Sequence, residues 1–295
     1  PDDKPITGGF ADLSDGVEKT LIADLNAFCK SGEYPNEHMK RACVLYAAAK
    51  NVKKRNSAGI RPVLKSLDRI NRLTGIAHFN RVLKDLALDG FPLPFDFEVS
   101  VDMKDSNRYC LMVSGPATFL PDTTYYKEEM KDQKAALMGI WRGMTSAVLK
   151  YTGLSEEEQN KILEDAVSFD EIIASLVKSR EEWSKYTEAY NPMTSTRVGT
   201  LLRPVKYKKL IEKVLGCVPE KTIVADVRFL KGFSTLFNEE NFELYKHWAY
   251  VKVLLNATGL LSEELRELGS TFQRALTGVN SIPKPEKHTC DRHCF

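Results

Sequence analysis

Apolar positions recur with a helical period along most of the chain. After the turn Thr7-Gly8-Gly9, Val17, Leu21, Leu25 and Phe28 fall three and four apart. They predict a helix with these four residues inward and Asp12 or Ser14 as its cap. A second helix is predicted after Pro35, with Met39, Ala42, Cys43, Tyr46 and Ala49 on one face. Lys50, Lys53, Lys54 and Arg55 trail at its end, where cations suit the negative helix terminus. Pro62 opens a third helix through Val63, Leu67 and Ile70, with Gly75 as its stop, and Phe79, Val82, Leu83 and Leu86 mark a fourth that Gly90 ends.

The period then shortens to two. Phe97, Val99, Val101 and Met103 alternate with Glu98, Ser100, Asp102 and Lys104, and the turn Asp105-Ser106-Asn107 leads into Tyr109, Leu111 and Val113. This pattern predicts an antiparallel hairpin with one dry face and one wet face. Helical spacing resumes from about Gln133 to Tyr151, and Ser155 with Glu158 forms a capping box ahead of Ile162, Ala166, Phe169, Ile173 and Leu176. The Asn191-Pro192 pair stops a helix. In the basic run 203–214, Val205, Leu210 and Val214 point inward while the lysines cover the outside.

The last stretch has the clearest signal. Asn238 is placed to cap a helix, Glu239 and Glu240 suit its first turn, and Phe237 with Phe242 fits a hydrophobic staple. Leu244, Trp248, Val251 and Leu255 follow, and Gly259 stops the run. Ser262 restarts a helix through Leu265, Leu268, Phe272 and Leu276 to Gly278. The expected fold is mainly α, a multi-helical lobe with one small antiparallel β-hairpin.

Composition narrows the options. With 295 residues and 43% hydrophobic content, the chain can bury one large core or two modest ones. A net charge of +2 from 42 basic and 40 acidic residues gives no electrostatic case for nucleic acid or an anionic membrane as partner. No apolar run approaches the ~20 residues of a membrane helix. The opening PDDKPITGG has no apolar h-region, and the six scattered cysteines read as thiols, so the expected location is cytoplasmic.

Candidate chemistry is sparse. A zinc-peptidase helix needs His-Glu-x-x-His, with two ligands on one face and a general base between them. None of His38, His78, His247, His288 and His293 precedes Glu, and no two are four apart. The tail brings His288, Cys290, His293 and Cys294 together, four residues of zinc-ligand type. His293 and Cys294 are adjacent, which disfavours tetrahedral coordination by both. The expectation is an unstructured end holding no metal, with this cluster as the alternative.

Several segments carry a resemblance. Gly8, Phe10, Leu13, Asp15 and Glu18 fall on a G-x-F-x-x-L-x-D pattern. Leu120, Pro121, Tyr125 and Tyr126 match an L-P-x-x-D-Y-Y element in which Thr124 stands for the acid. YNPMT at 190–194, NEENFELYKHW at 238–248 and LGSTFQRALTGVNSIPKPEKH at 268–288 complete the set. Together they resemble the N-terminal region of the neprilysin-like zinc metallopeptidases, in the bacterial oligoendopeptidase O type, from about Thr7 to His288. The resemblance implies a helical lobe closing over a chamber that admits oligopeptides. It also implies zinc in the intact family, held by a catalytic half that would be this chain's partner. It makes Phe10 a candidate substrate-binding residue and puts Ile6 where mammalian members carry a carboxylate-gripping Arg. The expected organisation is a peptidase region 1–288, divisible into 1–120 and 121–288, with a non-matching tail 289–295. The expected function is a non-catalytic portion truncated before the zinc-binding half, with no cofactor and no catalytic residue of its own. The alternative is a stand-alone helical module that binds peptides or a partner.

Overall fold

The computed structural model describes residues 9–279, 281 and 282, with the side chains of Phe10 and Ala11 outside the description. Among them are fourteen α-helices: α1 (Phe10–Ser31), α2 (Glu37–Lys50), α3 (Val52–Ala58), α4 (Arg61–Asn71), α5 (Ile76–Leu88), α6 (Lys131–Leu149), α7 (Glu156–Leu176), α8 (Arg180–Trp183), α9 (Ser195–Leu201), α10 (Tyr207–Leu215), α11 (Val227–Leu236), α12 (Phe242–Ala257), α13 (Glu263–Gly269) and α14 (Thr271–Thr277). Four strands, β1 (Asp96–Asp102), β2 (Asp105–Ser114), β3 (Asn191–Thr194) and β4 (Lys221–Val224), form one sheet in the order β1-β2-β4-β3. The fold is mainly α, with a small sheet. The chain divides into two compact units, one reaching up to Leu64 and resuming at Leu255, the other Lys65–Leu254.

In the first unit, α1 packs on α2 through Leu25, Cys43 and Tyr46, with Leu21, Phe28 and Met39 around them. Asn36 caps α2 by accepting the Met39 amide at 2.8 Å. Val17, expected inward, is 52% exposed, as is Leu13 at 64%. The inward stripe of α1 begins only at Leu21, so the first turns of the helix present apolar side chains to solvent. Arg55 also departs from expectation. It is buried in α3 and donates to the carbonyls of Ala49 at 2.7 Å and Leu261 at 2.6 Å, and to Glu263 at 2.7 Å. Arg266 pairs with the same Glu263. A cation read as a helix-end charge is thus a buried clamp on the turn before α13, because the guanidinium fork can satisfy three acceptors at once.

The second unit is built on aromatic side chains. Phe79 of α5, Phe237 after α11 and Tyr245 of α12 meet with ring centroids 5.1 to 5.4 Å apart. Phe169 of α7 lies 5.5 Å from Trp248, and Phe95 lies 6.1 Å from Phe233. The buried Tyr245 hydroxyl donates to the Pro92 carbonyl at 3.0 Å, which satisfies its one polar atom. The Ser155–Glu158 capping box opens α7 as expected.

Three local readings are corrected. α12 begins at Phe242, because Asn238 accepts the Asn241 amide at 2.9 Å in a turn rather than capping the helix. Phe237 and Phe242 still meet, at 6.0 Å. The helix expected from Ser262 to Gly278 is two helices, α13 and α14, separated at Ser270. Gly269 ends α13 so close to Thr258 that an added Cβ would sit 2.1 Å from its hydroxyl oxygen. Gly75 precedes α5 rather than closing α4.

The hairpin β1–β2 forms with Phe97 opposite Val113 and Val99 opposite Leu111. It extends into a sheet because β4 pairs parallel to β2 and β3 antiparallel to β4. Asn191-Pro192, expected as a helix stop, follows a 3-10 turn at Tyr186–Ala189 and starts β3. Strands of four residues are too short for alternation to reveal them. The dry face of the hairpin is buried only at its base, by Leu111 and Val113.

Gly115, just after β2, has no room for a side chain: a Cβ would meet Val177 at 2.4 Å and Phe229 at 2.8 Å. Gly115→Ala is expected to cost about 2–3 kcal/mol by overpacking, read as a lower denaturation midpoint at unchanged m value.

Candidate functional site

The Leu120–Tyr126 segment, one of the family-like elements, is tied down by two carboxylates, its own Asp122 and Asp170 of α7. Asp122 caps a 3-10 turn at Thr123–Tyr126 by accepting the Thr124 amide at 2.7 Å. That turn carries Tyr126 inward, where its hydroxyl donates to Asp170 of α7 in a short hydrogen bond and accepts the Leu120 amide at 3.2 Å. The Phe119 amide donates to both Asp170 oxygens, at 2.9 and 3.1 Å. From α12, Lys252 donates to the Ala117 carbonyl at 2.7 Å, its ammonium 4.6 Å above the Trp248 ring. The buried Trp248 indole N–H approaches Asp170 without reaching hydrogen-bond geometry. Tyr126 thus anchors the loop, and its acidic partner 44 positions away left no trace in local sequence.

Burial governs the electrostatics here. It raises the Asp170 carboxyl to about 7, outweighing the Tyr126 and Phe119 hydrogen bonds and the attraction of Lys252. Asp96 at the start of β1 keeps solvent contact on one side, yet the protein around it raises its carboxyl to about 6 against the pull of Lys252. Burial lowers the Lys252 amine, opposed by both acids, and pushes the Tyr126 hydroxyl well up. A buried acid, a phenol and an amine in this arrangement hold backbone.

Other chemistry-bearing groups are also structural. His247 of α12 shares Asp165 with Lys161, its Nδ1 2.6 Å from the carboxylate, and burial lowers its pKa. No hydroxyl or thiol bonds to it among the described residues, so it has no nucleophile to activate. Ser195 is buried and bonds to the Pro219 carbonyl and Thr222. His78 sits 3.4 Å from the Thr74 hydroxyl at the start of α5. Among the described residues no three His, Cys, Asp or Glu side chains are grouped to hold a metal.

The predicted site residues fall at the edges. The Phe10 side chain lies outside the described residues, as do His288, Cys290, His293 and Cys294. The helix that Phe10 begins is described, and its exposed Leu13 and Val17 lie four apart on one stripe.

Comparison with known proteins explains this scarcity of chemistry. The N-terminal model of "Peptidase family M13" matches residues 1–293. The neutral endopeptidase of Lactococcus lactis subsp. cremoris is 34% identical over 99% of this chain and 46% of its own length. A putative zinc metalloproteinase of Streptococcus gordonii is 31% identical, with 97% of this chain and 51% of the relative covered. The crystal structure of PepO from Lactobacillus rhamnosis HN001 superposes with a TM-score of 0.88 at 26% identity, over 99% of this chain and 46% of that one. Zinc metalloprotease Zmp1 of Mycobacterium tuberculosis, solved with an inhibitor, shares the fold at a TM-score of 0.86 and 21% identity, over 99% of this chain and 44% of that one. The chain belongs to peptidase family M13, and it spans about half the length of the curated relatives it matches.

The Asp170 cluster makes stability depend on pH. An acid raised from 3.8 to about 7 on folding keeps a proton that the unfolded chain has released. Its contribution is complete below about pH 4 and is lost as pH rises through 7. Lys252, lowered from 10.5, contributes only at alkaline pH and loses that contribution as pH falls. Urea midpoints should therefore decline between pH 5 and 7, and Asp170→Asn should flatten the decline. Tyr126→Phe should cost about 1–2 kcal/mol.

Proposed function

We propose that this chain is the non-catalytic N-terminal portion of a neprilysin-like zinc endopeptidase, acting on oligopeptides only together with a catalytic half. One observation carries the reading: 99% of the chain aligns with 46% of a neutral endopeptidase, while no His-Glu-x-x-His occurs in it. The zinc, the activated water and the general base then belong to the other half, and this portion supplies walls that confine the peptide. Phe10 and the exposed stripe of α1 are its proposed contribution to substrate contact.

The proposed location is the cytoplasm. Cys29, Cys110 and Cys217 are free thiols, and Cys29 Sγ lies 3.6 Å from the Cys43 carbonyl. Among the described residues no helix is long and apolar enough to cross a membrane.

The purified chain, supplied with zinc and a quenched fluorescent oligopeptide, should show no hydrolysis that a chelator abolishes, and metal analysis should find no stoichiometric zinc. Chelator-sensitive cleavage lost on Cys290→Ser, Cys294→Ser substitution would overturn the reading and move the metal to the tail.

A further inference from the structure

The hairpin carries its apolar pattern past the point where the core ends. Cross-strand pairing of Val99 with Leu111 and Val101 with Tyr109 puts these residues on one face. Leu111 is buried, but Val99, Val101 and Tyr109 are 54%, 45% and 77% exposed, and Met103 at the turn is 52% exposed. An open groove of about 610 Å³ runs beside them, walled by Val99, Tyr109 and Leu111 on the hairpin and by Leu215, Pro219 and Ile223 opposite. Leu215 is itself exposed at 37%. Monomeric proteins seldom leave contiguous apolar surface of this kind uncovered unless something binds there.

The groove is held in shape. Asp102 accepts the Tyr190 hydroxyl at 3.2 Å and the Lys104 amide at 2.9 Å, and the Lys104 ammonium stands 4.7 Å over the Tyr190 ring. These contacts brace the hairpin tip, so a partner docking there has little ordering cost to meet. The rim carries Lys104, Arg108 and Lys221 against Asp102, which is already engaged, and Asp105, which pairs with Arg108 at 3.1 Å, so Lys104 and Lys221 leave it net positive. β1 also forms the outer edge of the sheet.

We propose that this groove is the docking surface for an extended segment of the catalytic half, apolar at its centre and flanked by acidic residues. The inference rests on the function proposed above. The occupant follows from two facts: the matched neutral endopeptidase continues over more than half its length outside the region this chain spans, and the positive rim selects acidic flanks. A volume of about 610 Å³ suits a few extended residues rather than a helix laid across the sheet.

The test co-expresses the full 295-residue chain with the part of the Lactococcus lactis neutral endopeptidase outside the matched region, and measures affinity by sedimentation and titration. The wild-type chain should form a 1:1 complex. Val99→Glu, Tyr109→Glu should weaken it by about tenfold or more, as loss of anchor residues does. Lys221→Glu should weaken it severalfold, and Leu88→Glu, an exposed apolar position elsewhere in the same unit, by less than about twofold. Thermal melts of each variant check that the fold is kept. A complex that forms equally well with the hairpin variant would overturn the groove assignment and leave the proposed function standing. Self-association of the wild-type chain that the hairpin variant abolishes, without a complex of the two parts, would reassign the groove to a second copy of this chain. Failure of the wild-type chain to form any complex would overturn both.

Discussion

The Asp170 carboxylate is the fixed point of the larger unit. It sits in the middle of α7, away from solvent, and takes the Phe119 amide and the Tyr126 hydroxyl as donors. Those bonds fasten the segment between β2 and α6 against α7, while Lys252 holds the Ala117 carbonyl of that segment from α12. Burying such a group costs free energy unless donors satisfy it, and removing one of its two donors leaves it under-satisfied in the interior. The hairpin, the Leu120–Tyr126 turn and the aromatic layer around Tyr245 take their places around this arrangement. Its cost shows as the carboxyl raised to about 7.

The same principle operates on a smaller scale in the other unit. Arg55 crosses from α3 to the turn before α13 and satisfies two carbonyls and Glu263. In both places a polar group buried far from its sequence neighbours fixes a loop that hydrophobic packing alone leaves free to choose among arrangements. Both are structural uses of charge.

Elements whose signal is local were legible in the sequence. The inward stripes of α2, α4, α5 and α7 lie where spacing put them, and the hairpin register follows the alternation from Phe97 to Val113. What escaped depends on distant residues. β3 and β4 have four residues each and exist because β2 offers an edge. The break at Gly269 comes from contact with Thr258, and the roles of Asp170 and Arg55 come from partners dozens to hundreds of positions away. The family-like segments pointed to the right family because a motif is read as a string, without any need to know what its side chains touch. The candidate site was legible only as an absence: five histidines without a His-Glu-x-x-His arrangement.

The proposal above is that this chain acts on oligopeptides only together with a catalytic half. It is tested most directly by complementation, with oligopeptide hydrolysis as the readout. The catalytic part of the Lactococcus lactis relative should be inactive or nearly so by itself, since the chamber wall is missing. Adding this chain should restore cleavage that a chelator abolishes and zinc returns. Full activity of the catalytic part alone, unchanged when this chain is added, would contradict the account.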